Sequence, residues 1–209
     1  MGEDKSHRGA ASQFFVAGEL CRRGLVAVLT LGNCPNTDVL VSNKAGTRFA
    51  HVQVKTYRPG RDKTVSVGLK AQKPYGPGFF WVLAGIPEAD STAAWEYFVV
   101  PAGELSRLVC DNHRCWLEAP GKKGQAHNEN KVRTVFIPPA VMDYTKESIE
   151  RYRDRWDLIV DACADATPSL GPEPDFEELA VDECGVGGTA AERACVVAHS
   201  GLPTGADRG

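Results

Sequence analysis

Asp38, Gln53 and Lys55 are the residues whose types and spacing point to chemistry. His51-Val52-Gln53-Val54-Lys55 alternates polar with apolar, which predicts a half-buried strand with Gln53 and Lys55 on one face. Asp38 opens the preceding candidate strand, so three polar groups converge. A hard cation such as Mg²⁺ (or Mn²⁺) takes a few protein oxygens and completes its shell with water and phosphate. One carboxylate, one side-chain carbonyl and a nearby backbone carbonyl make a minimal site, and Lys55 stands where an attacking water is polarised. The same residues also admit structural roles: Asp38 as a cap or Asx-turn, and Gln53 and Lys55 as the outward face of an edge strand.

The elements that must position them follow from periodicity. Between Asp4 and Arg23, Ala10, Phe14, Ala17 and Cys21 recur at helical spacing and Gly24 supplies a stop, which predicts an amphipathic first helix. β-rich runs at Leu25–Leu31, Thr37–Ser42 and Arg48–Thr56, separated by turn-forming stretches, predict a three-strand meander. Phe79–Ile86 and Trp95–Val100 are continuous apolar runs, as in central strands buried on both faces. A helix is expected from Pro101 through Val109, an irregular stretch over 110–133 with a small strand around Cys115-Trp116-Leu117, and a strand at Thr134–Ile137. A closing helix over Ala140–Cys163 would place Tyr152, Trp156 and Ile159 on one face.

The chain has 209 residues, 43% of them hydrophobic and 24% charged, enough for one domain with a sizeable core, expected over 1–165. No apolar run approaches the roughly 20 residues of a membrane span and no signal-like segment stands at Met1–Gly9, so a cytoplasmic, non-membrane protein is expected. Seven scattered cysteines argue for thiols rather than a disulfide framework. Net charge is −3, but residues 166–209 hold eight acids against two bases, and 11 of those residues are Gly or Pro. They read as a disordered acidic tail. Residues 44–73 carry eight bases against the single acid Asp62. Such a patch suits a polyanion, although a plain solvated loop has the same composition. Arg58, Arg61, Lys63, Lys70 and Lys73 are the candidate nucleic-acid contacts, with Lys122, Lys123, Lys131 and Arg133 extending the track and Tyr57 and Tyr75 available to stack on bases.

The segments RGAASQFFVAGELCRRG, GNCPNTDVLV and HVQVKT place a helix, a turn, an Asp at a strand and a (D/E/Q)-x-Lys strand in order. This arrangement, over roughly residues 6–165, resembles the PD-(D/E)XK nuclease superfamily. In particular it looks like the archaeal Holliday-junction resolvases and the small group I intron homing endonuclease whose motif carries Gln at the second position. The resemblance implies an α/β fold with a restriction-endonuclease-like αβββαβ core, a central mixed sheet flanked by helices. It also implies an endonuclease that hydrolyses DNA phosphodiesters with Mg²⁺ (or Mn²⁺), needs no small-molecule cofactor and works as a homodimer, as resolvases do. Asp38 and Gln53 would hold the metal and Lys55 would assist the water.

The family's helical Glu falls by spacing on Gln13, 25 residues ahead of Asp38. Gln13, Ala17 and Leu20 share a helical stripe, whereas Glu19 lies about 200° round from Ala17. With Gln at both positions each carbonyl ligand is kept and each negative charge lost, leaving Asp38 the single anion of the set. Two other readings therefore stand beside the nuclease: a DNA-binding module that has lost its chemistry, and an interaction protein acting through its acidic tail. Cys110, His113, Cys115 and His127 offer thiolates and imidazoles to zinc, in a spacing that matches no common zinc module.

Overall fold

The computed structural model describes residues 5–31 and 34–165. The predicted tail at 166–209 lies outside the described residues. The first helix, α1 (Lys5–Arg22), is followed by β1 (Val26–Leu29), β2 (Val39–Ser42) and β3 (Phe49–Tyr57), the expected antiparallel meander. The chain then forms β4 (Thr64–Ser66), a 3-10 turn at Leu69–Gln72, β5 (Phe79–Gly85), β6 (Glu96–Pro101), α2 (Ala102–Glu118) and β7 (Thr134–Phe136). A second 3-10 turn at Glu150–Tyr152 and α3 (Asp157–Ala162) complete it.

The protein is an α/β fold with a central mixed sheet flanked by helices. Five strands lie in the order β1-β2-β3-β5-β6, with β3 and β5 parallel and the other pairs antiparallel. Within that architecture the crossover from β3 to β5 is made by β4 and the 3-10 turn. The helix on that face, α2, comes after β6. Strands β4 and β7 pair into a separate two-stranded sheet.

Alternation along β3 sorts the two layers. Ala50, Val52 and Val54 face α1, packing with Val16 and Leu20 and with Val39 and Val41 of β2. His51, Gln53 and Lys55 leave the opposite face, where α2 buries Leu105, Leu108 and Val109 together with Trp81 and Leu83 of β5 and Phe98 and Val100 of β6. Since α2 packs over β5 and β6, the part of this face around Asp38, Gln53 and Lys55 is not covered by a helix.

The buried stripe of α1 is not the expected set, since Phe14 is 66% exposed and Cys21 is exposed, while Val16 and Leu20 meet the sheet. The run Trp95–Val100 supplies a strand covered on both faces, but β6 stands at the sheet edge and is not central. Three further expectations are corrected. The helix after Pro101 runs to Glu118, so Cys115-Trp116-Leu117 is helical rather than a strand. The segment 140–163 is not one helix, because its backbone bonds to the free edge of β6: Arg153 bridges Phe98 and the Asp154 N–H donates to the Tyr97 carbonyl at 2.8 Å. Lys146 and Asp154 adopt φ of 60° and 51°, outside helical geometry. In consequence Tyr152 joins the α2 layer while Trp156 and Ile159 join the α1 layer, so the segment wraps round the sheet edge instead of presenting one stripe. Thirdly, Tyr57 is a core residue, 2% exposed, with its hydroxyl donating to Glu96 at 2.8 Å. It is not available to stack on a base.

Candidate functional site

The start of β2 fixes Asp38. Its N–H donates to the Val52 carbonyl at 2.9 Å and its carbonyl accepts from Thr30 at 3.0 Å, so the residue is held between β1 and β3. Its side chain lies over β3, where Oδ2 accepts from the Val54 N–H at 2.7 Å and from the Gln53 side-chain amide. Burial holds the Asp38 carboxyl above the usual range. The Val54 N–H, Lys55, Gln53 and Lys70 pull against that shift by favouring the charged form.

Asp38, Gln53 and Lys55 line one open cleft of ≈ 590 Å³ together with Cys34, Pro35, Val67, Gly68 and Lys70. The strand spacing alone predicts the first three as a set. Lys70 arrives from the crossover, and its position is built by long-range contacts. Val67 and Gly68 donate N–H groups to the Arg133 carbonyl at 2.9 and 3.2 Å. Ala71 is fully buried, and the Ser106 hydroxyl of α2 donates to the Gln72 carbonyl at 2.6 Å. Gly68, at φ 68° and ψ −179°, adopts a conformation essentially reserved for glycine. Lys70 Nζ then reaches across the cleft to donate to the Pro35 carbonyl. One carboxylate and two ammonium groups thus share the cleft, a net positive lining that suits a phosphate.

Gln13 is not among the residues lining this cleft. The packed stripe of α1 is Ser12, Val16 and Leu20, with the Ser12 hydroxyl 2.6 Å from that of Thr56, on the sheet face opposite Gln53 and Lys55. The other basic candidates differ in their surroundings. Arg58 is paired with Asp62 at 2.7 Å and Arg61 with Glu88 at 2.8 Å, whereas Lys63 and Lys73 are exposed. Arg133 is buried and bonded to Glu129 and to the carbonyls of Asn130 and Val132, so it is a structural cation and not part of a surface track.

The donor set tolerates a hard divalent cation. Asp38 Oδ1 and, with the amide turned, Gln53 Oε1 can supply two protein oxygens, as few as Mg²⁺ commonly takes where substrate phosphate and water fill the remaining positions. Among the described residues no cluster of three or more His, Cys, Asp or Glu forms a metal-ligating group. The zinc candidates are engaged otherwise: His113 contacts Glu129 at 2.8 Å, and His127 donates to the Trp116 carbonyl at 2.6 Å while stacking on the Trp116 ring. Cys21, Cys34, Cys110, Cys115 and Cys163 are free thiols. Among the described residues no helix is long and apolar enough to cross a membrane.

No protein-family model and no curated protein matches the chain. Among solved structures it is similar to "The structure of a bacterial homing endonuclease: I-Ssp6803I", with a TM-score of 0.44 and 15% sequence identity over 77% of this chain and 94% of that one.

Proposed function

We propose that the chain is a Mg²⁺-dependent endonuclease of the PD-(D/E)XK type, acting on DNA at the Asp38–Gln53–Lys55 cleft. The observation that carries this reading is the convergence of one desolvated carboxylate, one amide and two lysines from three separated segments in a single open cleft. The lysines attract and seat the phosphodiester, and Lys55, beside Asp38, orients a water toward it. Asp38 and Gln53 would hold the cation. Bound Mg²⁺ would supply charge stabilisation at the phosphoryl oxygens. With one anion facing two ammonium groups, these residues would hold a cation weakly by themselves, and a phosphate's negative charge would strengthen that hold.

The charge count also favours a second reading, a DNA-binding module without chemistry. One experiment separates the two: cleavage of supercoiled plasmid and branched DNA with Mg²⁺ or Mn²⁺, comparing wild type with Asp38→Ala and Lys55→Ala. Activity in wild type that both variants lose supports the nuclease. Activity retained in both places any chemistry elsewhere, and DNA binding without cleavage under either metal favours the module.

A further inference from the structure

Beside the cleft lies a second cavity of ≈ 370 Å³, lined by Asn36, Thr37, His51, Tyr75, Gly76, Gly78 and Phe79. Its walls are rings. Tyr75 stacks on Phe79 with centroids 4.2 Å apart and planes within 14°, and the His51 ring lies within 7° of parallel to Phe79 at 6.2 Å. Phe79 is buried and Tyr75 is 36% exposed, carried by the Pro74-Tyr75-Gly76 loop at φ 55°. Polar atoms stand at the edges of the rings: the Thr37 hydroxyl is 3.1 Å from His51 Nδ1, and the Tyr75 hydroxyl donates to Asn36 Oδ1 at 3.4 Å.

This cavity and the cleft are adjacent by construction. His51 precedes Gln53 by two residues on the same face of β3, a step of about 6.8 Å. Asn36 and Thr37 fill the interval between Pro35 and Asp38, both of which line the cleft. Lys55 stands two residues beyond Gln53 on that face, about 13.6 Å from His51, so a base among the rings and a phosphate on Lys55 and Lys70 belong to neighbouring nucleotides of one strand.

Resting on the DNA-cleft reading above, we propose that the His51–Tyr75–Phe79 cavity receives one unpaired nucleobase of a strand whose neighbouring phosphate lies on Lys55 and Lys70. Tyr75 covers Phe79 and is itself exposed, so its outer ring face offers a stacking surface to any base, while the Asn36 amide and Thr37 hydroxyl stand at the hydrogen-bonding edge. The ammonium groups of the adjoining cleft favour an occupant attached to an anion, as a nucleotide is, over an apolar peptide side chain. A base inside an intact duplex has both faces covered by its neighbours and cannot enter, so the cavity favours single-stranded, gapped or branched DNA.

The test uses the full chain with DNA oligonucleotides carrying 2-aminopurine, either single-stranded or fully paired. Tyr75→Ala should weaken single-stranded binding by about 5- to 150-fold, the range that aromatic–base stacking supplies, and leave paired-duplex affinity unchanged. Tyr75→Phe keeps the ring and should bind as wild type does. Lys70→Ala should weaken both substrates and so reports on the cleft itself. Wild-type protein should also change the fluorescence of the unpaired 2-aminopurine, a readout that does not depend on how any variant folds. Loss in Lys70→Ala with no substrate-dependent loss in Tyr75→Ala, or binding without a fluorescence change, overturns the base site and leaves the cleft standing. Wild type that binds neither substrate overturns both.

Discussion

Lys55 and Lys70 offer the sharpest quantitative check, because composition alone ranks them equally with every other cation in residues 44–73. The fold does not. Lys55 and Lys70 line the cleft, whereas Lys44 is exposed in the β2–β3 turn beyond the Ser42–Phe49 pair, at the end of the hairpin away from Asp38 and Lys55. Each lysine that neutralises a duplex phosphate contributes about 0.9 to the slope of log affinity against log salt. Lys55→Ala and Lys70→Ala should each flatten the slope by about 0.9 and weaken binding about fivefold at about 0.15 M salt. The double variant should flatten it by about 1.8, a loss of about 30-fold. Lys44→Ala should leave the slope as it is. Fluorescence anisotropy with a labelled duplex across a salt series reads all four proteins in one format. Equal losses at Lys44, Lys55 and Lys70 would refute the cleft and return the basic segment to a diffuse field.

Three further outcomes rest on other contacts. The folded state holds the Asp38 proton more tightly than the unfolded chain, so folding takes up protons and stability falls as pH rises above the ordinary carboxylate range. Asp38→Asn is neutral throughout and retains an acceptor for the Val54 N–H. It should melt higher than wild type near neutral pH while lacking cleavage, and lose that advantage below about pH 3.9; a gap that does not change between acid and neutral melts would contradict the burial of charge. Gly68→Ala should cost about 1–3 kcal/mol in urea unfolding and reproduce the salt-slope change of Lys70→Ala, because the backbone there carries Lys70 to the cleft. Unaltered stability would show that φ 68° is not required. Tyr57→Phe removes the bond to Glu96 and should cost about 1.5–3 kcal/mol, and Gly85→Ala, whose Cβ would stand 2.7 Å from the Tyr57 ring, about 1–3 kcal/mol. The double variant should cost less than the sum, since both act on one hydroxyl; strict additivity in denaturation would separate the two sites.

What could be read from the sequence was local. A period of two in His51–Lys55 assigns Gln53 and Lys55 to one face, and a period near 3.6 in Lys5–Arg22 marks α1 as a helix but misplaces its buried stripe, which runs through Ser12, Val16 and Leu20 while Phe14 and Cys21 are exposed. The apolar runs mark β5 and β6 as strands covered on both faces, since such a strand has no polar side to show, but do not tell the interior β5 from β6 at the sheet edge. The pairing of Asp38 with Gln53 also follows, since two strands joined by a short turn lie side by side. Gln13 marks the limit of this reasoning: spacing along a helix gives a stripe, but not which side of the sheet that stripe will meet.

Tertiary structure decided whatever depended on distant segments. Lys70 reaches the cleft only because α2 and the Arg133 carbonyl pin the 3-10 turn beneath it. Tyr75 and His51 share a cavity because β3 and β5 pair in parallel, which sets His51 opposite Phe79. Tyr57, at the end of its strand, could not be told from a loop tyrosine until Glu96 on β6 was seen to receive its hydroxyl. The segment 140–163 has helical periodicity, yet the open edge of β6 takes its backbone hydrogen bonds and sends Tyr152 and Trp156 into different layers. Periodicity records which side chains avoid water within one segment, whereas the choice of partner is set by the free edges and faces that the rest of the chain leaves exposed.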